Sequence, residues 1–241
     1  MKLKIELIKK KFADSEIIVT DDLYRFYQSE EPKIKKSTVN WRIYELVRSG
    51  ALKRIGKGKY IIGKSIQYSP EISNKEIKLN NVIKKEFPFI NYCIWNSSLL
   101  SEFLQHQLSF RFILVEVEKD VLESVFYSIK ENFNSTFKKP AKEMLEEFII
   151  TQQNSIIIIP LVSEAPIQYI KKVPTSFLEK LMVDLYCDKN LFYFLQGYEL
   201  VNIYKNAFNK YTINLSKLLR YADRRRKKTE INEFIKSIIR Q

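Results

Sequence analysis

The segment spanning residues 31–64 constrains the fold of this chain more than any other. Within it, apolar residues recur at the spacing that forms one face of an α-helix. The members of this face are Val39, Ile43, Leu46 and Val47. Ser37 is placed to cap the first turn of the helix, and Gly50 is placed to end it. The segment therefore predicts a helix with one packed side and one free side.

The residues around this helix predict a small domain. After Gly50, "ALKRI" and "YIIG" are typical of two short strands, and the intervening "GKGK" predicts a hairpin turn. Upstream, "MKLKIELIKKKF" predicts a helix, "EIIVT" a short strand, and "DDLYRFYQSE" a second helix capped by Thr20. Helix, strand, helix, helix and hairpin is the order of a winged helix-turn-helix domain. In such a domain the third helix enters the major groove of DNA, and here the hairpin is the wing.

The charge is concentrated on the same segment. Residues 31–64 contain ten Lys and Arg and two Glu, a net charge of +8, while the whole chain carries +13. A basic surface on one structured segment favours nucleic acid as the partner over a uniformly basic composition. We therefore expect binding to double-stranded DNA. The candidate contact residues are Lys35, Lys36, Ser37, Thr38, Asn40, Trp41, Arg42, Tyr44, Arg48, Lys53, Arg54, Lys57 and Lys59.

These candidates have different expected roles. The lysines and Arg54 are expected to meet phosphates, which gives affinity without reading the sequence. Asn40 is expected to read adenine, and Arg42 or Arg48 to read guanine or a phosphate. For the aromatic residues of the helix, Trp41 and Tyr44, packing on a neighbouring helix and contact with DNA are both open.

A second basic run lies near the C-terminus. Its candidate contact residues are Arg220, Arg224, Arg225, Arg226, Lys227 and Lys228. The run is consistent with a second nucleic-acid contact, with a patch facing an acidic partner, and with a solvated helix end.

The rest of the chain predicts a larger domain of mixed α/β type. Residues 63–73 are rich in turn formers and indicate a linker, so we expect domains at 1–64 and 74–241 joined by 65–73. Three apolar runs, "FINYCIW", "FRFILVEV" and "SIIIIPLV", predict buried strands that alternate with helices, in a sheet covered at least partly on both faces. From about residue 174 the pattern is mainly helical, beginning with a capping box of Ser176 and Glu179. The expected fold class is α+β or α/β.

Several classes of function find little support. No apolar run is long enough to span a bilayer, and the N-terminus lacks the apolar core of a signal peptide, so we expect a cytoplasmic protein without a membrane partner. No cofactor motif or metal-ligand spacing is evident, and His106, the single histidine, is expected to be structural. Glu116 and Glu118 with Lys119 match part of a nuclease pattern, but the upstream acid is missing. Lys180 and Asp184 are expected to form an ordinary surface pair.

The segment "STVNWRIYELVRSGALKRIGKGKY" resembles the N-terminal domain of AbiEi antitoxins, from abortive-infection (type IV) toxin–antitoxin systems. "YCIWNSSLLSEF", "VPTSFLEKLMVDLYCDK" and "LLRYADRRRKK" resemble later parts of the same family. The resemblance implies a cytoplasmic bacterial repressor that binds inverted repeats in its own promoter and counters a nucleotidyltransferase-like toxin, without being an enzyme. It implies DNA contacts at Ser37, Thr38, Asn40, Arg42, Arg54, Lys57 and Lys59.

Two alternatives stay open. One is a winged-helix transcription factor with a sensory or oligomerising C-terminal domain. The other is a metal-dependent nuclease of a defence system or mobile element.

Overall fold

The computed structural model describes residues 3–13, 15, 17–63, 67–106, 108–149, 151–152 and 154–239. The fold is of mixed α+β type. The first part of the chain contains α1 (Ile5–Lys11), β1 (Ile18–Val19), α2 (Thr20–Glu30), α3 (Lys36–Arg48), β2 (Leu52–Gly56) and β3 (Lys59–Ile62). These elements follow one another in the predicted order. The three strands form an antiparallel sheet in the order β1-β3-β2.

Helix α3 packs as its apolar spacing predicts. Val39, Ile43 and Leu46 are buried in a core shared with α1 and α2, and Val47 packs at its edge. Gly50 ends the helix in a left-handed conformation, with φ of 72°. The predicted cap at Ser37 is wrong. The helix begins at Lys36, and Lys35, in an extended conformation, occupies the N-cap position, two residues before the predicted cap.

The hairpin is tied to the start of α2. The backbone N–H of Thr20 donates to the carbonyl oxygen of Gly58 at 2.9 Å, and the Thr20 hydroxyl donates to the same oxygen at 3.2 Å. Gly58 has a φ of 68°, and a Cβ at this position would lie 3.0 Å from Thr20 Oγ1. Both the conformation and the limited space therefore favour a glycine at the tip.

The second part of the chain is larger. Its elements are α4 (Asn74–Glu86), β4 (Tyr92–Asn96), β5 (Phe112–Val117), α5 (Leu122–Asn132), β6 (Thr136–Lys138), α6 (Lys142–Met144), β7 (Ser155–Pro160), β8 (Ile167–Ile170), β9 (Val173–Ser176), α7 (Leu178–Cys187), α8 (Tyr198–Lys210), α9 (Leu215–Arg224) and α10 (Lys228–Ile239). Helix α6 continues as a π-helical turn, Leu145–Ile149.

A four-stranded sheet in the order β4-β5-β7-β6 forms the centre of this part. Strand β4 is antiparallel to β5, whereas β5, β7 and β6 are parallel. Successive residues of β5 alternate between two apolar cores: Leu114 faces one, and Ile113 and Val115 face the other. The prediction that the sheet is covered on both faces is confirmed.

The cores follow the division of the sequence. The core around α1–α3 contains buried residues up to Tyr60, and the two cores of the second part begin at Tyr68 and Ile72. Tyr68 and Ile72 fall in the segment predicted as a linker, and both are buried.

Two local predictions in the second part are wrong. The capping box of Ser176 and Glu179 does not form, because Ser176 ends strand β9 and the Glu179 carboxylate accepts from the backbone N–H of Asn214 at 2.8 Å. The β8–β9 hairpin was not expected. Its turn residues, Lys171 and Lys172, have φ of 49° and 66°, values that two-residue hairpin turns require and that glycine or asparagine usually supplies.

Candidate nucleic-acid interface

The free face of α3 is polar and aromatic. Asn40 and Ser37 are exposed, and Thr38 is half-buried. Trp41 and Tyr44 are 46% and 52% exposed, although residues of this size usually pack inside a protein. Neither aromatic side chain therefore packs fully against a neighbouring helix, and both are open to a partner.

The amide of Asn40 is held in place by α2. The Tyr24 hydroxyl donates to Asn40 Oδ1 at 2.8 Å, which leaves the Asn40 NH₂ group directed away from this bond. Lys36 lies on the same tyrosine, with its Nζ atom 5.7 Å from the ring centroid. The first turns of α3 thus present a fixed amide beside a positive charge.

Arg42 is not part of this face, and the prediction that it contacts DNA is wrong. Its side chain is 4% exposed and forms two hydrogen bonds with the Glu31 carboxylate, at 2.9 and 3.0 Å. The guanidinium carbon lies 4.8 Å from the centroid of the Tyr27 ring. The hydrogen bond from Arg42 lowers the pKa of Glu31. Because α3 turns by about 100° per residue, Arg42 lies on the inward side with Val39 and joins α3 to α2.

The hairpin presents most of its cations to solvent. Arg54, Lys57 and Lys59 are exposed, and Arg54 Nε donates to the carbonyl oxygen of Gly56 at 3.1 Å. Lys53 is half-buried, and this burial lowers its pKa. Helix α3 packs against β2, so the helix and the hairpin belong to one continuous surface.

Arg48 lies at the far end of α3, apart from the first turns. It pairs with Glu45 at 3.2 Å. It also lines a cleft of ≈ 320 Å³ with residues of the second part of the chain, including Glu179 and Lys217. Arg48 is therefore not part of the surface formed by the first turns of α3 and the hairpin. Lys35 and Lys36, at the start of α3, are exposed and belong to that surface.

The second basic run does not form one free patch. Arg225 is an internal residue of an ion-pair network, with its guanidinium 2.7 Å from Asp184 and 2.6 Å from Asp188. Arg224 pairs with Glu164, Lys227 with Glu230 at 2.9 Å, and Lys228 with Asp223 at 3.8 Å. Arg220 and Arg226 are exposed. The prediction of a contact through Arg225 is wrong, because its charge is matched inside the fold.

The network around Arg225 continues to a fully buried lysine. Lys180 is 0% exposed and bonds to the carboxylates of Glu116 and Asp184, the latter at 2.6 Å. Glu116 Oε1 also accepts from Trp95 Nε1 at 3.0 Å. Burial works against the charge of Lys180, but Asp184 and Glu116 hold its pKa well above the ordinary value. Burial raises the pKa of Glu116, against the opposing effect of Lys180.

The prediction that Lys180 and Asp184 form a surface pair is wrong. Residues 178–185 of α7 are all buried, because apolar residues occur on every side of this helix. This signal was present in the sequence, since a helix that is apolar all round is normally internal. A charged pair inside such a helix must then find further partners in the core.

The nuclease pattern is divided in the structure. Glu116 is buried against Lys180, whereas Glu118 follows the end of β5 and accepts hydrogen bonds from Asn91. Within the described ranges, no three His, Cys, Asp or Glu side chains are grouped so that they could hold a metal ion.

Comparison with known proteins places the chain in a family. Residues 38–241 match the model of DUF6577, a family of unknown function. The chain belongs to this family. The match begins within α3 and includes the hairpin and the whole second part. No curated protein matches the chain. In the part that the structure describes, no helix is long and apolar enough to cross a membrane.

Proposed function

We propose that this protein is a double-stranded DNA-binding repressor whose α1–β3 region acts as a winged helix-turn-helix domain. The observation that carries the proposal is the exposed surface of α3 and the hairpin. An α-helix fits the major groove, and α3 offers Asn40, Trp41 and Tyr44 on its free side. Lys57 and Lys59 lie on the packed hairpin next to it, where cations can meet phosphates.

The fixed amide of Asn40 favours sequence readout over a purely electrostatic contact. A side chain already oriented by Tyr24 loses little rotamer freedom when it binds. Its NH₂ group can donate to adenine N7, and the second lone pair of Oδ1 can accept from adenine N6. The pair formed by Tyr24 and Asn40 therefore supports specific recognition of DNA at one base pair.

The wider role proposed is that of an antitoxin. This part rests on the resemblance to AbiEi antitoxins described above. The repressor would bind inverted repeats in its own promoter in the cytoplasm, and the partner would be a nucleotidyltransferase-like toxin that the second part of the chain counters without catalysing a reaction itself. An adjacent gene whose product is toxic alone, and harmless when both proteins are produced, would support this role. A harmless neighbour would contradict it.

The first experiment measures binding of the purified protein to DNA from its own upstream region and to random DNA of equal length, at two salt concentrations. Trp41 is a built-in reporter, because it is exposed on α3, whereas the other tryptophan, Trp95, is 0% exposed. We expect a change in fluorescence on binding that is absent in Trp41→Phe, and tighter, salt-sensitive binding to the upstream DNA. Equal affinity for both DNAs at both salt concentrations would refute a specific repressor.

A further inference from the structure

A cleft of ≈ 550 Å³ opens at the carboxyl ends of the three parallel strands. It is lined by Glu116 near the end of β5, Pro160 at the end of β7 and Lys139 just after β6. After β5 the chain enters α5, which packs in one core, whereas after β7 it forms the β8–β9 hairpin before it reaches α7, which packs in the other core. In open α/β sheets, ligands bind in the crevice outside the carboxyl ends of the parallel strands.

The floor of the cleft carries a buried carboxyl group with spare bonding capacity. Glu116 is 2% exposed, and both of its hydrogen bonds, from Trp95 and Lys180, go to Oε1. Among the described residues, Oε2 has no hydrogen-bond partner. Because Glu116 lines the cleft, this oxygen is available to a donor that enters it. The arrangement therefore favours a polar group of a ligand at this position.

Besides Glu116, the lining of the cleft carries Asp188, Asn190 and three cations, Lys139, Lys189 and Arg225. Arg225 is paired with Asp188, whereas neither the Lys139 nor the Lys189 ammonium group has an ion-pair partner among the residues that the structure describes. Lys139 is held in a left-handed conformation, with φ of 42°, and its backbone N–H donates to the Ile158 carbonyl oxygen at 3.0 Å. A lysine fixed in a costly backbone conformation at a cleft is a feature of functional sites. These two lysines provide the charge that an anion needs.

One wall of the cleft is apolar. It is formed by Pro140, Ile159, Pro160, Val162 and Leu191. A volume in the range of small-molecule sites, an apolar wall and a few convergent polar groups are the usual properties of a ligand pocket. A flat ring of a ligand can pack on this wall, and an anionic group of the same ligand can pair with the two lysines.

We propose that this cleft binds a phosphorylated small molecule of nucleotide size, with the phosphate held by Lys139 and Lys189. The organic part lies along the apolar wall, and one of its hydroxyl or amino groups bonds to Glu116 Oε2. The cleft belongs to the second part of the chain, and the proposal does not depend on DNA binding by α3.

The test uses the full chain and ligand-observed NMR, with calorimetry for affinities. The probes are the four ribonucleoside 5′-monophosphates, ribose 5-phosphate, inorganic phosphate and adenosine. We expect saturable binding of at least one phosphorylated probe. The affinity for adenosine should be lower by a factor of about ten or more, because adenosine lacks the anion. Lys139→Gln and Lys189→Gln each lower the affinity about tenfold or more, since each removes a charged hydrogen bond.

The matched control is Lys85→Gln, which removes the same charge from an exposed position on α4 and leaves the affinity unchanged. Thermal unfolding shows that each variant is folded, and Lys189→Gln tests the site even if Lys139→Gln disturbs its strained turn. Absence of saturable binding up to about 10 mM of every probe would overturn the proposal. An equal loss in Lys85→Gln would also overturn it, since the effect would be one of net charge. If a single-stranded oligonucleotide binds through these lysines about tenfold more tightly than any mononucleotide, the small-molecule proposal is overturned and the ligand of the cleft is a nucleic-acid strand.

Discussion

Replacing Lys180 by methionine should destabilise the second part of the protein strongly. The buried network contains three carboxylates, those of Glu116, Asp184 and Asp188, and two cations, those of Lys180 and Arg225. Methionine fills nearly the same volume, so the change tests charge rather than packing. Without Lys180, Glu116 has no cation and Asp184 keeps only Arg225. Removing one partner of a buried ion pair costs about 3–5 kcal/mol, and we expect a loss of that size in the free energy of unfolding.

The loss should depend on pH. In Lys180→Met, the pKa of Glu116 in the folded state rises further above its value in the unfolded chain, because burial already raises it and the nearest cation is gone. A folded protein that binds a proton more tightly than its unfolded form is favoured at low pH. The difference from the wild type should therefore be large at pH 7 and become smaller as the pH falls towards 5.

The assay is urea unfolding in a Trp41→Phe background, where Trp95 is the only tryptophan left and lies against Glu116. Lys85→Met, on the surface of α4, is the matched control and should stay within about 0.5 kcal/mol of the wild type. Adding Glu116→Gln to Lys180→Met should restore part of the stability, because it removes a stranded charge. A Lys180→Met protein within about 1 kcal/mol of the wild type at pH 7 would refute the reasoning, since the carboxylates would then be hydrated or neutral.

Further predictions concern the proposed interface and two turns of the backbone. Lys57→Ala with Lys59→Ala should weaken binding to all DNA and reduce the slope of log K against log salt by up to about 2, which a salt titration measures; an unchanged slope would exclude phosphate contacts. Asn40→Ala should cost about 1–3 kcal/mol on the preferred site and little on random DNA, as measured by competition. Lys172→Gly should stabilise the β8–β9 hairpin by about 0.5–1 kcal/mol in urea, because glycine accepts its left-handed φ. Arg42→Ala should lower the melting temperature of the α1–β3 region, whereas an unchanged melting curve would show that its bonds to α2 are weak.

The elements around α3 could be predicted because their signals are local. The apolar spacing of Val39, Ile43 and Leu46, and the glycines at 50 and 58, each demand one conformation within a few residues. Local signals could not predict whether the Arg42 side chain lies inside the fold or on the free face of α3. Its position three residues after Val39 is equally consistent with the packed edge and the free face, and only Glu31 and Tyr27, brought close by the packing of α2, decide between them.

In the second part of the chain, the main strands could be predicted, but one hairpin and the cleft could not. Long apolar runs predict β4, β5 and β7, because strands between two cores need apolar residues on both sides, whereas the short strand β6 was not predicted. The β8–β9 hairpin was missed because its Lys171–Lys172 turn lacks the glycine or asparagine that normally marks such turns. The cleft could not be predicted because its lining residues are far apart in sequence: Glu116 and Lys139 are brought to it by the strand order β5-β7-β6, and Lys189 by the end of α7.

Accessibility, rather than charge alone, decides which residues of the two basic regions can attract a phosphate backbone. Arg42 and Arg225 stand in the two most basic stretches of the sequence, yet both are held by carboxylates within the fold. The uncharged Asn40 and Trp41 are exposed on the same helix as Arg42. An internal arginine adds nothing to the field that attracts a phosphate backbone, because a paired carboxylate cancels its charge at a distance. The proposed nucleic-acid surface therefore lies on the first turns of α3 and on the hairpin, where the cations Lys35, Lys36, Arg54, Lys57 and Lys59 are exposed to solvent.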